Sequence, residues 1–466
     1  MSFSRRSFLA MAGAGVVGAT MVSPLDAFFT RVANGQATNG VGYGPLTARL
    51  PENVAELQGI VVGGINLGTT ALLELPRGFR YTAISIQGQP MNDGGTVPGL
   101  HDGMAAFYGE PGTTVVVRNH EVGANGSNPV VPSNGKLYDR LGGGTTTLVI
   151  GPDRRVIFQY ASLGGTIRNC AGGPTPWGSW ITCEEDVSMP SPGGNAKRHG
   201  YNFEVPASAG LQVADPTPLV AMGRFNHEAV AVEPETGYVY QTEDRGDSCF
   251  YRFRPLVNGQ LKFGGTLEAL RITDPQAPNV EIGTGSANTV TGYRDLRGVP
   301  LSVTWVPIDN VDPMTDTVRV EGRSKGAARF SRGEGAWYGN GSTYFVCSDG
   351  GNDRVGQVWA YTSGATPETG TLTLVVEATR TDLLAAPDNI CVAPFGDLFL
   401  CEDGSGSEYI VGVSGNGELY RFATNAVNGS EFAGVCFSPF GDTMFVNFQS
   451  PGITFAIWGP WVRNGY

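Results

Sequence analysis

The chain of 466 residues carries 68 glycines and 30 prolines, about a fifth of its positions against roughly 12% in average usage, an excess that excludes a helical bundle or a coiled coil. Charged residues are scarce at 16%, but the 41% hydrophobic fraction is ample for a large core and excludes a disordered chain. The net charge of −12 disfavours a nucleic-acid surface, which needs clustered Lys and Arg, and suits bound cations.

In chain order, the first element is a leader. Arg5-Arg6 precede Ser7-Phe8 and a weakly apolar, Ala/Gly-rich stretch from Leu9 to Val22, which is too short for a stable membrane span. This pattern reads as a twin-arginine export signal, engaged by the twin-arginine translocation machinery and delivering a folded protein to the periplasm or beyond. Residues 1–37 are taken as signal and leader and 38–466 as one domain. No later segment approaches 20 uninterrupted apolar residues, so the mature chain is not expected to span a membrane. Seven cysteines in an oxidising compartment leave at least one thiol without an intramolecular partner.

The next elements repeat. Starting at 102, 170, 228, 334, 388 and 434, each unit has a polar start, an alternating run, a Gly- or Pro-containing turn, a second alternating run and a polar or acidic end. Such a unit reads as a β-hairpin. Cys170 to Glu185, Glu228 to Glu243, Glu334 to Asp349 and Asp388 to Asp403 are each 15 residues apart. Recurring short-strand units at this order of spacing point to an all-β, six-bladed β-propeller, with longer intervals holding loops. The longest interval, between the units at 228 and 334, leaves room for a seventh blade around 292–308. A β-sandwich is the competing architecture, but it does not explain a recurring hairpin with polar ends.

In a propeller the innermost strands converge on a channel, so the hairpin ends would form a ring. Those ends carry Glu121, Glu184, Glu185, Glu228, Glu243, Asp244, Glu334, Asp349, Asp388, Glu402 and Asp403. Convergent carboxylates repel one another and lose solvation, and bound cations are the remedy. Oxygen donors suit Ca²⁺, whereas a thiolate such as Cys183 beside carboxylates favours a transition metal. Cys183 also reads as a core thiol, since Cys347 and Cys401 occupy the same repeat position. His120 and His227, each in Asn-His-Glu, are open to either role. Arg332, Arg224 and Arg245 lie near hairpin ends, where a guanidinium beside cations suits a phosphate and equally suits a salt bridge.

Asn169-Cys170-Ala-Gly-Gly-Pro-Thr-Pro-Trp177-Gly-Ser-Trp-Ile-Thr-Cys183-Glu184-Glu185 resembles the signature of the PhoX-type secreted alkaline phosphatases. Gly223-Arg224-Phe225-Asn226-His227-Glu228, Arg332-Gly-Glu334-Gly-Ala-Trp337, Pro387-Asp388-Asn389 and Pro451-Gly-Ile-Thr454 are similar to that family as well. The resemblance implies a six-bladed propeller that hydrolyses small phosphate monoesters with iron (Fe³⁺) and calcium (Ca²⁺) in its channel. It implies iron ligation by Cys183, Glu228 and Glu334, calcium sites served by Glu184, Asp388, Glu402 and Asp403, and a phosphate held by Arg332. The mature chain is expected to be an exported monomer. A calcium-stapled propeller that binds a partner, or a calcium-dependent hydrolase of the lactonase type, is the alternative.

Overall fold

The computed structural model describes residues 41–277, 293–415 and 417–461. The leader at 1–37 lies outside them. Alternating and β-branched runs form antiparallel strands in a propeller-like arrangement of sheets, and the described residues hold one short α-helix, Val318–Ser324.

Six hairpins build the centre. They pair His101–Tyr108 with Thr114–His120, Asn169–Pro174 with Ser179–Glu184, and His227–Val232 with Val239–Glu243. The last three pair Gly333–Gly339 with Ser342–Cys347, Pro387–Val392 with Leu398–Glu402, and Phe432–Phe437 with Thr443–Phe448. The first strands of these hairpins neighbour one another in chain order, and the sixth packs back against the first.

Further strands extend each hairpin outward. Four sheets stand separately, around the first, second, fifth and sixth hairpins. The third and fourth hairpins share one nine-stranded sheet, because Leu301–Pro307 pairs on one side with Gly265–Ile272 and on the other with Gly370–Glu377. The described part of the interval that left room for a seventh blade is therefore a single joining strand rather than a hairpin of its own. Apolar side chains fill the wedges between consecutive sheets. Val117, Trp180 and Phe203 pack between the first and second, and Tyr344, Val358, Leu400 and Val411 between the fourth and fifth.

The ring is shut by the two ends of the chain. Arg80–Ile86 pairs with Ile453–Trp458 and completes the sixth sheet, while Leu46–Arg49 and Leu73–Pro76 extend the fifth. Tyr43 packs edge-on against Phe79, Phe422 and Trp461 and donates a hydrogen bond to the Trp461 carbonyl at 2.9 Å.

All six inner strands carry the same irregularity. Between His101 and Met104, Asn169 and Gly172, His227 and Val230, Gly333 and Ala336, Pro387 and Ile390, and Ala433 and Cys436, three steps on the inner strand face two on its partner. Each is a β-bulge, an extra residue that kinks the strand and re-aims its side chains. The residues at the bulge are Asp102, Cys170, Glu228, Glu334, Asp388 and, in the sixth hairpin, Gly434.

Candidate metal and phosphate site

The bulges open onto one cavity of about 380 Å³. Asp102, Cys170, Glu228, Glu334 and Asp388 reach it from bulge positions, and Gly434 contributes no side chain there. The sixth hairpin instead lines it one ladder step farther out, with Glu431 and Gln449. Glu121, Glu185, Asp244 and Asp403 enter from the ends of the second strands. Each of these four donates its backbone N–H across the hairpin mouth, to Leu100, Arg168, Asn226 and Ala386 respectively. In the fourth hairpin the equivalent residue is Ser348, whose hydroxyl donates to Glu334 Oε1 at 2.7 Å. Asp349 stands one residue farther on and pairs with Arg354.

Nine carboxylates and one thiol thus face two guanidinium groups, those of Arg168 and Arg332. Arg332 Nε and Nη2 donate to Asp244 at 2.9 and 3.0 Å, and Nη2 lies 3.1 Å from Glu334 Oε1. Arg168 donates to Glu121 Oε1 at 2.8 Å and to Glu185 Oε2 at 2.5 Å. Burial, then repulsion from neighbouring acids, pushes Asp102, Glu228 and Glu334 well above the carboxylate range. The same two causes bring Glu185 and Asp388 to about 8 and Glu431 to about 12. Burial, then the charge of Glu228, likewise raises the Cys170 thiol.

Two groups of donors lie close enough to share an ion. Ligand atoms of Cys170, Glu185 and Glu228 fall within 4.8 Å of one another, and so do those of Glu228, Glu334 and Asp388. Glu228 belongs to both. The first group mixes a soft sulfur with oxygens and the second is all oxygen, the donor sets of a transition metal and of a hard cation respectively.

The structure brings Arg332, Glu228, Glu334, Asp388 and Asp403 together in this cavity. It places Cys183, Glu184 and Glu402 elsewhere. Successive strand residues face opposite sides, so Glu184, Glu243 and Glu402, each just before an acid in the cavity, point into the protein. Cys183 is buried among Ile181, Leu219, Met222, Val230 and Phe253. Glu184 accepts from the backbone N–H of Ile167, Gly200 and Tyr201 and contacts His199 Nδ1 at 2.6 Å, which occupies both its oxygens. Glu402 accepts from the N–H of Ala385 and Tyr409, and Glu243 accepts from Tyr251 and Arg319.

His120 and His227 are core residues. His120 sits between the Gly99 carbonyl and Thr146, and His227 contacts the Gly223 carbonyl while stacking on Phe225. Burial pushes both imidazoles down, His227 to about 3. Arg224 is buried and donates to the carbonyls of Val187 and Pro313, and Arg245 pairs with Asp316. Sequence reasoning passed over Cys170, Arg168, Asp102, Glu431 and Gln449 as site residues. Cys170 and Asp102 were already marked as starts of repeat units, and that mark was the available signal.

The alkaline phosphatase PhoX family model matches residues 61–152 and 130–452, with the site inside the match. The chain belongs to the alkaline phosphatase PhoX family. It is with that family a phosphoric monoester hydrolase. Among solved structures it is similar to Pseudomonas fluorescens PhoX in complex with vanadate, a transition-state analogue. The identity is 17%, the TM-score 0.63, and the match covers 83% of this chain and 96% of that one. A gluconolactonase from Xanthomonas campestris is matched at 12% identity over 91% of this chain and 100% of that one, with a TM-score of 0.40. No curated protein matches the chain.

Proposed function

We propose that the protein is exported through the twin-arginine route and hydrolyses small phosphate monoesters at iron and calcium ions held in the cavity of a six-bladed propeller. The observation that carries this is the pair of donor groups sharing Glu228, one with a thiol and one without, beside two guanidinium groups. The six-bladed reading rests on six inner strands with identical bulges that neighbour one another in a closed circle. The joining strand at Leu301–Pro307 fuses two of those blades at their outer edges.

The donors fit such a cluster. Buried acids held above their usual range by one another, and a buried thiol likewise, ionise together only with compensating positive charge. The proposed ligands are Cys170, Glu185 and Glu228 for iron, and Glu228, Glu334, Asp388 and Asp403 for the oxygen-only sites. Cys170 and Glu185 take the place of Cys183 and Glu184, and Asp403, already expected, stays without Glu402; Cys183, Glu184 and Glu402 lie outside the cavity. When bound, the cations supply Lewis-acid polarisation of the phosphoryl group and a water of lowered pKa. Arg332, fixed by Asp244 and Glu334, holds phosphoryl oxygens and faces the charge that grows on them. Export is supported by the paired-arginine leader.

The test is metal analysis of protein purified without chelator, together with hydrolysis of an aryl phosphate at alkaline pH. Iron and calcium with activity are expected. Calcium alone, with no hydrolysis after iron is restored, would overturn the reading in favour of a calcium-stapled binding module.

A further inference from the structure

Arg168 and Arg332 occupy the same place in the repeat. Each stands two residues before a cavity residue, Cys170 and Glu334 respectively, and the backbone carbonyl of each accepts from the end of its own hairpin, Glu185 and Ser348. Both lie in the left-handed region, at φ +48° and +51°. A non-glycine residue held there signals a functional constraint more often than chance placement would. Leu100 and Ala386 share that place and conformation in the first and fifth hairpins, at φ +44° and +42°, but only the two arginines carry charge.

The two guanidiniums line the same cavity. Arg168 holds Glu121 and Glu185 there, and Asp244 holds Arg332 through both its oxygens. Glu228 belongs to the hairpin between those two arginines. Both arginine side chains are 44% exposed, open to an anion entering the cavity. No other cation lines it among the described residues.

Resting on the phosphatase reading, we propose that Arg168 is a second phosphoryl-holding residue, which with Arg332 forms a two-arginine clamp that selects the dianionic phosphoryl group of monoesters. A monoester offers three non-bridging oxygens and two negative charges. A diester offers two and one. With both guanidiniums lining the one cavity, the third oxygen is what the second arginine binds.

The experiment compares wild type, Arg168→Ala, Arg168→Lys and Arg332→Ala, each with iron and calcium content and Tm recorded. Steady-state hydrolysis is measured for an aryl phosphate monoester and the corresponding bis-aryl diester, and binding of inorganic phosphate is measured by calorimetry. Arg168→Ala is expected to weaken phosphate binding and raise KM for the monoester by about 10- to 100-fold, the scale of one lost charge-assisted contact. Its diester kinetics should change little, so discrimination between the two esters falls, and Arg168→Lys should recover part of the loss. Unchanged phosphate binding in Arg168→Ala, or a parallel fall on both esters that tracks lost metal, would overturn the clamp and leave Arg168 as a brace for Glu121 and Glu185. Wild-type protein that binds phosphate but hydrolyses neither ester would overturn the phosphatase reading, while the binding comparison still decides for or against Arg168.

Discussion

Cys170 and Cys183 separate what a thiol does in a metal site from what it does in a core. Both are buried, but Cys170 lies with Glu185 and Glu228 whereas Cys183 packs against apolar side chains. Cys170→Ser is therefore expected to lose iron and activity, with a fall in Tm no larger than removal of iron causes in the wild type. Cys183→Ser places a hydroxyl in an apolar cluster, and it should keep iron while losing about 1–3 kcal/mol of stability. Metal analysis and thermal melts on both variants check this, and iron lost from Cys183→Ser alone would reverse the assignment. His199 is the residue whose charge bears on stability. Burial opposes its imidazolium, but hydrogen bonds with Glu184 and Asp139 outweigh it, and the folded pKa stands above the ordinary value. A raised histidine pKa contributes fully below about pH 6.5 and is lost as pH rises through the folded value. His199→Gln should accordingly lie furthest below wild type in Tm near pH 6, and the gap should narrow towards pH 9.

At the scale of the hairpin, the bulge decides which side chains meet. Period-2 alternation, the turn residues and the acidic ends were legible in the sequence, and so were Arg332, Glu228, Glu334, Asp388 and Asp403, which the structure sets in one cavity. The choice of Glu184 and Glu402 was not corrected by that pattern, because one residue of register turns a side chain from the cavity to the interior, and Cys183 stands near the end of its hairpin while the cavity thiol, Cys170, stands at its start. The apparent constancy of a 15-residue spacing hid this. Asp244, not Glu243, is the counterpart of Glu185, and Ser348, not Asp349, is the counterpart of Asp403. A bulge leaves no compositional mark except where backbones crowd, as at Gly335, where a Cβ would stand 2.5 Å from the Asp388 carbonyl oxygen. Gly335→Ala must push the fourth and fifth inner strands apart next to two proposed ligands. It is expected to cost about 1–3 kcal/mol and to weaken metal retention under dialysis; full metal content at wild-type Tm would show that the strands yield without moving the donors.

For the molecule as a whole, the cavity is a concentrated repulsion at the point where all the inner strands meet. Cations that bind only the folded chain should stabilise it by mass action, about 2.7 kcal/mol at a hundred times the Kd. Dialysis against chelator is expected to lower Tm, and restoring calcium and iron together should raise it again; a melt indifferent to both would remove the cluster from the account of stability. The merging of two blades through Leu301–Pro307 could not be read from the sequence, since a lone strand joining two sheets carries no repeat of its own. The seam between Arg80–Ile86 and Ile453–Trp458 has a bearing on biosynthesis. A ribosome emits the first half of that seam before any of the six inner hairpins and the second half after all of them, so the nascent chain stays an open horseshoe until the second half has emerged. Glu431 and Gln449 flank the sixth hairpin, which is made after the other five, and an ion arriving beforehand meets an incomplete basket. A message broken before the codons for Ile453–Trp458 yields a product with no closed ring, so an intact seam reports that all six hairpins have been made.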